Sequence, residues 1–318
     1  MLDTQKQILD LLKVNPLKPS LIAGKLGISR QGLHRHLKVL LEKQMIEKRG
    51  LGSHVQYVQI SFPLQTRINE DYIFCKNNIL PRYREKFGDL PILSVKKSAL
   101  DFSYIIDMAA VYSSNIEGNS MNIDSFLNSQ NAAKKHRPKE AKEIEDLIKS
   151  YEFAQNNMLS QANFLKAHSM LSEDFVSKTR RGVYREEPVG VFSQRGLEYM
   201  AIEAHLLSTE MDNLFSVIKE IIKTEQRSIE RLFWATWIHL SIALIHPFSD
   251  GNGRIARLAE KWFLAETLGV ELFMFRSEHC YWEQRLEYYS SLKLGVNYWE
   301  TDFKKAEGFF NLLPCLLK

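Results

Sequence analysis

Cysteine is scarce in this sequence, and the few that occur are widely separated. Cys75, Cys280 and Cys315 are odd in number and form no C-x-x-C pair. This pattern argues against a disulfide framework and against a cysteine-based zinc site. It favours a protein of a reducing compartment, and we expect a cytoplasmic location.

Long hydrophobic runs are also missing. There is no stretch of about 18 uninterrupted apolar residues, so we expect no membrane-spanning helix. The first ten residues are polar and hold no apolar signal-peptide core. The composition is nevertheless 45% hydrophobic and 25% charged, which excludes a wholly disordered chain. A length of 318 residues predicts about two domains.

Acidic residues are scarce at the start of the chain. Residues 1–60 contain ten Lys or Arg but four Asp or Glu, a net charge of +6 compared with +4 for the whole chain. The basic character is therefore concentrated in this segment. Such an uneven distribution predicts a nucleic-acid partner for the front of the chain alone.

The same segment has the pattern of three helices followed by two strands. Apolar residues recur at helical spacing in three segments. These are TQKQILDLLKVN, a stretch that starts near Ser20, and RQGLHRHLKVLLEKQ. Gly27 permits a tight turn before the third helix, and Ser29 can cap that helix. MIEKRGLGSHVQYVQI predicts two strands around a glycine turn at residues 50–53.

This order resembles the winged helix-turn-helix family, which we assign to residues 1–61. The resemblance implies that the third helix enters the DNA major groove and that the wing contacts the backbone. Candidates for base edges are Arg30, Gln31, His34 and Arg35, and candidates for phosphate contacts are Lys38, Lys48 and Arg49. A basic helical bundle that binds protein, or a winged domain that only dimerises, remains an alternative.

Residues 62–97 are predicted to be a helical connector, and residues 98–318 a second, mainly helical domain. A helix over about 98–118 ends at Gly118, a suitable C-cap. Ser113 and Glu117 share a face in its last turn. A carboxylate is electrostatically misplaced at a helix C-terminus, so Glu117 requires a positive partner, unless it is an ordinary solvated acid.

A β-hairpin flap is predicted at about residues 182–196, where valines and glycines replace the helical pattern. The segment IHPFSDGNGRIARL then follows a long, almost entirely apolar helix. Pro247 excludes His246 from that helix. Gly251 and Gly253 allow a turn whose N–H groups bind an anion at the start of the next helix.

The remaining residues of this turn extend the anion site. Arg254 and Arg257 are three residues apart and can face one anion, and Asp250 can hold magnesium beside phosphates. His246 can accept a proton near neutral pH. Together they predict attack by a hydroxyl group on phosphorus. The simpler interpretation is a structural histidine, a capping aspartate and surface arginines, which is reasonable for each residue alone but not for all of them together.

The stretch from His246 to Arg257 resembles the Fic family signature H-x-F-x-[DE]-G-N-G-R-x-x-R without departure. The stretch from Ser113 to Gly118 resembles the inhibitory motif [ST]-x-x-x-E-[GN] of the same family, in the subclass with an N-terminal inhibitory helix in the same chain. The flap is similar to its target-docking hairpin. The resemblance covers residues 62–318 and implies a mainly α fold: a Fic-type helical domain with a small hairpin flap.

The Fic resemblance implies a protein adenylyltransferase that moves AMP from ATP to a Ser, Thr or Tyr hydroxyl of a target protein, including itself. His246 would be the general base, Asp250 would hold Mg²⁺, and Phe248 would fix the loop. The implied phosphate-binding residues are Gly251, Asn252, Gly253, Arg254 and Arg257. Ser113, Glu117 and Gly118 would form the inhibitory motif, with Glu117 paired to Arg257.

Other functions remain open at this point. The same site could remove AMP from a modified protein, or transfer a different nucleotide. The chain could also be a DNA-binding regulator whose Fic-type core only senses nucleotide, although such a sensor has no need of His246. A homodimer is a further open alternative.

Overall fold

The computed structural model describes residues 3–12, 17–42, 45–49, 55–59, 67–88, 101–133, 136–193, 196–224 and 226–314. The chain divides into two compact units, Met1–Leu64 and Gln65–Lys318. We call them the first and the second unit. In the described part of the chain, no helix has both the length and the apolar character needed to cross a membrane.

The first unit contains three helices and a two-stranded antiparallel sheet. Its elements are α1 (Asp3–Leu12), α2 (Pro19–Leu26), α3 (Arg30–Glu42), β1 (Ile46–Arg49) and β2 (Gln56–Gln59). In the sheet, Ile46 lies opposite Gln59 and Arg49 opposite Gln56. The turn predicted at residues 50–53 lies outside the described residues.

The core of the first unit forms where the apolar faces of its elements meet. Its fully buried members include Ile8, Ile22, Leu33, Leu37, Leu40 and Ile46. Gly27 takes a left-handed conformation, φ +64°, between α2 and α3. The element order is that of a winged helix-turn-helix domain, and this assignment stays a prediction.

The second unit is mainly helical with one small sheet. Its helices are α4 (Arg67–Phe74), α5 (Leu80–Phe87), α6 (Phe102–Ile116), α7 (Ile123–Ser129), α8 (Lys139–Gln155), α9 (Gln161–Leu171), α10 (Leu207–Lys223), α11 (Ser228–Ile245), α12 (Asn252–Leu268), α13 (Ser277–Glu283), α14 (Arg285–Ser291) and α15 (Glu307–Phe310). Strands β3 (Gly190–Ser193) and β4 (Gly196–Met200) pair antiparallel. Short 3₁₀ turns lie at Ala204–Leu206, Val270–Met274, Tyr298–Glu300 and Phe303–Lys305.

The centre of this unit is the pair α11 and α12. Helix α11 is buried along almost its whole length, as its almost uniformly apolar sequence predicts. Among the described elements, α11 packs most extensively against α12. The short segment between these two helices therefore has its ends fixed by the most extensively packed pair of described helices.

The segment 62–97 differs from the predicted connector. Helices α4 and α5, joined by a π-helical turn at Cys75–Ile79, pack on α10 and α11. The Tyr72 ring lies 5.0 Å from that of Trp234, and the Arg67 guanidinium binds backbone oxygens of Trp299 and Thr301. The described part of the segment thus belongs to the core of the second unit, and residues 89–97 lie outside the described residues.

Two other boundaries also differ from the sequence predictions. Helix α6 begins after Asp101, whose side chain accepts a hydrogen bond from the Ser103 N–H at 3.4 Å, and residues 98–100 lie outside the described residues. The hairpin pairs residues 190–193 with 196–200, whereas residues 182–189 form turns. The predicted flap at 182–196 therefore begins too early, because the backbone around Arg185 is bonded elsewhere.

Candidate active site

His246 ends α11 in an unusual backbone conformation. Its φ of 55° is the one positive value among the non-glycine residues that the structure describes. Pro247 follows, so the helix cannot continue through His246. A left-handed non-glycine residue costs free energy and persists where the surroundings fix it, as often happens at functional sites.

The loop after His246 is fixed by Phe248 and Asn252. Phe248 is fully buried and stacks on the His168 ring at a centroid distance of 3.5 Å. The Asn252 side chain donates to the Phe248 carbonyl at 2.8 Å and accepts from the Phe248 N–H at 2.9 Å. This side chain therefore shapes the loop, and only its backbone N–H is placed for an anion.

His168 supports the loop from α9, and sequence reasoning missed it. Its Nδ1 accepts a hydrogen bond from the Gly182 N–H at 3.0 Å, so the proton is on Nε2, which donates to the Asp250 carbonyl at 2.9 Å. Burial lowers the pKa of His168 to about 4. No local sequence signal identifies it, because both partners are distant along the chain.

Arg185 is a second residue that supports the loop, and this role was not predicted from the sequence. It is buried, and its guanidinium donates to the carbonyls of His246 at 2.7 Å, Glu187 at 2.9 Å and Ile202 at 2.6 Å. Its own N–H donates to the Pro247 carbonyl at 3.0 Å. Arg185 therefore holds the backbone on both sides of the bond between His246 and Pro247.

The imidazole of His246 is arranged to accept a proton. Its Nδ1 lies 3.2 Å from the Ala243 carbonyl, which can only accept, so Nδ1 carries the proton and Nε2 is left as the base. Burial lowers the pKa of His246, with a smaller contribution in the same direction from Arg185. The side chain is therefore neutral, and able to take a proton, at neutral pH.

The N-terminus of α12 is the place of the predicted anion site. Gly251 precedes the helix with φ 83°, and its N–H donates to Asp250 Oδ1 at 2.6 Å. The N–H groups of the next residues lie in the first turn, where a helix provides them with no partner. At Gly253 a Cβ atom would collide with the Glu117 carboxylate. Glu117 therefore lies directly against the backbone that is predicted to bind phosphate.

Arg254 and Arg257 occupy different surroundings. Arg254 Nη1 lies 3.5 Å from a Glu143 oxygen, and its guanidinium lies 3.7 Å from the centroid of the Phe175 ring. Its buried Nε has no hydrogen-bond partner among the described residues. A buried donor without a partner is costly, and a phosphate oxygen is a chemically suitable acceptor.

Arg257 is fully buried, and it contacts Glu117 together with two residues that were not predicted as its partners, Ser113 and Tyr288. Its Nε donates to Ser113 Oγ at 2.9 Å, and Nη2 donates to the Ser113 carbonyl at 2.9 Å and to Glu117 Oε1 at 2.7 Å. Nη1 donates to the Tyr288 hydroxyl at 3.2 Å. Burial raises the pKa of the Glu117 carboxyl group, but Arg257, with smaller contributions from Arg254 and His246, lowers it below its ordinary value. Gly118 follows with φ 94°, which turns the chain away from α6.

Some of these groups line a cavity of about 540 Å³, whereas Asp250, Arg254 and Arg257 are not among its lining residues. Its walls include Glu117, His246 and Gly253, together with Tyr288 and Tyr289 from α14. Side chains of the hairpin complete it, namely Val191, Phe192, Glu198 and Tyr199. The volume lies within the range of small-molecule and cofactor sites, about 300–1,000 Å³.

Asp250 is the candidate metal ligand in the loop that precedes α12. Its side chain is 61% exposed and lies 3.9 Å from Arg254. The described residues contain no group of three or more His, Cys, Asp or Glu side chains that could hold a metal by themselves. A single carboxylate still suits Mg²⁺, because this ion is usually held by one or two carboxylates and the phosphates of the substrate.

The predicted DNA-binding residues belong to the first unit. Arg30, Gln31, His34, Arg35 and Lys38 are all exposed on α3. Lys38 also forms an ion pair with Glu42 at 3.8 Å. Lys48 is exposed on β1, and nothing is described for the side chain of Arg49.

Comparison with known proteins supports the fold and the family of the domain. The sequence profile of the Fic/DOC family matches residues 158–264, and no curated protein matches the chain. A Fic family protein from Desulfovibrio desulfuricans G20 is similar in structure, with a TM-score of 0.55 and 21% identity over 80% of this chain and 72% of that one. A Fic domain containing signaling protein from Bacteroides thetaiotaomicron has a TM-score of 0.52 and 16% identity over 80% and 92%.

A third similar structure is Fic-1 (residues 134–508) from C. elegans, with a TM-score of 0.50 and 17% identity over 81% of this chain and 71% of that one. At these identities the structures show the shared, mainly helical fold alone. The profile match covers both the His168 support and the loop that begins at His246. Residues 158–264 therefore resemble the Fic/DOC family.

Proposed function

We propose that the second unit transfers AMP from ATP to a Ser, Thr or Tyr hydroxyl of a target protein. One observation carries the proposal: His246 and the N-terminal turn of α12 at Gly253 line the same cavity. A proton acceptor and an anion site in one cavity suit attack by a hydroxyl group on a bound phosphate ester. Fic-family domains generally transfer a nucleoside monophosphate to proteins, which supports this reaction class.

His246 acts on the incoming hydroxyl group. Nε2 takes its proton while the hydroxyl oxygen bonds to the α-phosphorus of ATP, and pyrophosphate leaves with the electrons of the broken P–O bond. The Nδ1 bond to Ala243 keeps the ring oriented for this transfer. The lowered pKa of His246 keeps the imidazole neutral, because burial disfavours its charged form.

The negative charge of the phosphates is met by the first turn of α12 and by Arg254. Backbone N–H groups at a helix N-terminus bind anions, and the helix dipole adds to the attraction. Arg254 Nε supplies a buried donor without a partner among the described residues. Bound Mg²⁺ would neutralise further phosphate charge, and Asp250 is the residue that would hold it.

Glu117 keeps this site inactive in the proposal. Its carboxylate binds Arg257 and covers the backbone of Gly253. A polyphosphate therefore cannot bind the Arg257 guanidinium and the Gly253 backbone while Glu117 stays in this position. A ligand that must break this pair binds productively only to the fraction of molecules in which the pair is open. Arg257 is then available for the γ-phosphate.

The reaction is tested with ATP that is radiolabelled at either the α- or the γ-phosphate. Full-length protein with Glu117→Gly, Mg²⁺ and cell lysate should transfer the α label and not the γ label. Transfer of the γ label would indicate a kinase, and the absence of any transfer would refute the proposal. Parallel reactions with labelled GTP, CTP and UTP determine which nucleotide is used.

The reverse reaction is a second candidate, because Glu117 lines the same cavity as His246 and its carboxylate could orient a water molecule. A protein already carrying AMP serves as the substrate. Release of AMP by the wild type, and its loss in Glu117→Gly, would favour this function over transfer.

For the first unit, we propose binding of duplex DNA through α3. The face of α3 opposite its buried leucines carries exposed basic and amide groups, which suit phosphates and base edges. The excess of basic residues in 1–60 supports the same partner. A role as a regulator that only senses nucleotide would leave His246 without a function.

A further inference from the structure

Arg257 is held by two different parts of the second unit. Ser113 and Glu117, both at the C-terminal end of α6, receive three of its hydrogen bonds. Tyr288 of α14 receives the remaining one, from Nη1 at 3.2 Å. If the end of α6 moves when Glu117 withdraws, Tyr288 is the partner that stays with Arg257.

Behind Tyr288 lies a chain of buried polar side chains. The Tyr288 hydroxyl lies 3.0 Å from His239 Nε2, and His239 Nδ1 lies 2.8 Å from Glu260 Oε2. Tyr281 donates to the same carboxylate oxygen at 2.7 Å. None of these side chains is more than 2% exposed. The chain thus connects Arg257 to both central helices, since His239 belongs to α11 and Glu260 to α12.

The direction of each bond follows from the donors. A guanidinium can only donate, so the Tyr288 oxygen accepts from Arg257 and its own proton is directed to His239 Nε2. His239 is then the tautomer with its proton on Nδ1, which donates to Glu260. Each bond in the series polarises the next in a low-dielectric interior, which fixes the position of the Tyr288 hydroxyl.

We propose that Tyr288, His239 and Glu260 are positioning residues that keep Arg257 in the orientation that binds the γ-phosphate after Glu117 has withdrawn. The inference rests on the proposed function. None of the three needs to touch the γ-phosphate, because they act through the guanidinium. Their support comes from α11 and α12, the most extensively packed pair of described helices, and is independent of the bonds from α6.

The experiment measures equilibrium binding of ATP and ADP, with Mg²⁺, to full-length Glu117→Gly protein carrying second substitutions. Tyr288→Phe keeps the aromatic ring but removes the hydroxyl group. We expect ATP affinity to fall about tenfold, the value of one hydrogen bond to a charged group, while ADP affinity stays the same. The ratio of the two affinities therefore reports the γ-phosphate contact, which a general loss of stability would not change selectively.

A matched pair at His239 tests the chain itself. His239→Gln can place an oxygen near the former Nε2 and accept from Tyr288, whereas His239→Asn is too short and can only replace Nδ1 toward Glu260. We expect Asn to lower the ratio of ATP to ADP affinity as Tyr288→Phe does, and Gln to restore most of it. The two His239 variants also test the positioning role if the Tyr288→Phe protein fails to fold.

Arg257→Ala provides the reference. If it leaves the ratio of ATP to ADP affinity unchanged, Arg257 does not bind the γ-phosphate, and the role that the proposed function gives to Arg257 is wrong. If it lowers the ratio but Tyr288→Phe and His239→Asn do not, the proposed function stands and the positioning role is refuted. Equal losses of ATP and ADP affinity in these variants would also overturn the positioning role.

Discussion

Replacing Glu117 by glycine removes the one carboxylate that binds Arg257 in the described structure. The residue follows the last turn of α6 with φ −88° and ψ 10°, a conformation that glycine adopts without strain. The substitution therefore leaves the helix in place and uncovers the Gly253 backbone, to which the proposal assigns phosphate binding. We expect a higher rate of AMP transfer.

The size of the increase follows from the exposure of the two partners. Arg257 is fully buried, whereas the Glu117 side chain is 35% exposed. A hydrogen bond to a charged group contributes about 1.5–3 kcal/mol, and solvent screening favours the lower end of this range. About 1.4 kcal/mol corresponds to a tenfold change in population. We therefore expect about tenfold faster transfer, with about 100-fold as the upper limit.

The assay is the initial rate of transfer of α-labelled AMP by the full chain at saturating ATP and Mg²⁺. Glu117→Gln should fall between the wild type and Glu117→Gly, because its amide keeps a neutral hydrogen bond to Arg257. Glu283→Gly is a matched control, since Glu283 is 62% exposed at the end of α13 and does not line the cavity. Equal rates for the wild type and Glu117→Gly would refute the inhibitory role, as would an equal increase in Glu283→Gly.

Four further outcomes are expected. His246→Asn should abolish transfer while the melting temperature and ATP binding persist, because asparagine tolerates the left-handed backbone but is no base; residual transfer would refute the base assignment. Asp250→Asn should raise the Mg²⁺ concentration needed for half-maximal transfer, and an unchanged titration would contradict its role. The pKa of His168 is about 4 in the folded protein, compared with about 6.5 in the unfolded chain, so the unfolded chain binds more protons between pH 6.5 and pH 4. The free energy of unfolding should therefore fall by up to about 3 kcal/mol as the pH is lowered through this range, which urea titrations measure. The His168→Asn variant should lack this decrease. Lys38→Glu should weaken duplex binding on all sequences and lower its salt dependence by roughly one phosphate contact, whereas Arg35→Glu should weaken binding and relax its sequence specificity. Unchanged gel shifts in both variants would refute DNA binding through α3.

The backbone of the loop between α11 and α12 could be predicted because its determinants are local. His246, Pro247 and the glycines at 251 and 253 impose their backbone conformations within a few residues of one another. The electrostatic argument for Glu117 also succeeded in part: a carboxylate at the end of α6 does have a buried positive partner, at 2.7 Å. Arg257 could be identified as that partner only through the resemblance to the Fic family.

The supporting residues could not be predicted, because their partners are distant in the sequence. His168 contacts Asp250, 82 residues away, and Arg185 contacts the carbonyl of His246, 61 residues away. Periodicity reports which face of a helix is buried, but not which polar group it meets. The same limit applies to segment 62–97, where Arg67 binds the Trp299 carbonyl 232 residues further along.

The contact between the end of α6 and α12 joins two segments of one polypeptide, and this determines how the Glu117–Arg257 pair can be controlled. Within one chain, Glu117 meets Arg257 at a fixed effective concentration, so dilution or higher expression changes the number of molecules but not the fraction in which the pair is open. Only a ligand or protein with higher affinity for the separated form can shift that fraction. Under the proposed inhibition, the exposed side of the α6 terminus is one surface through which an activating ligand or protein can act.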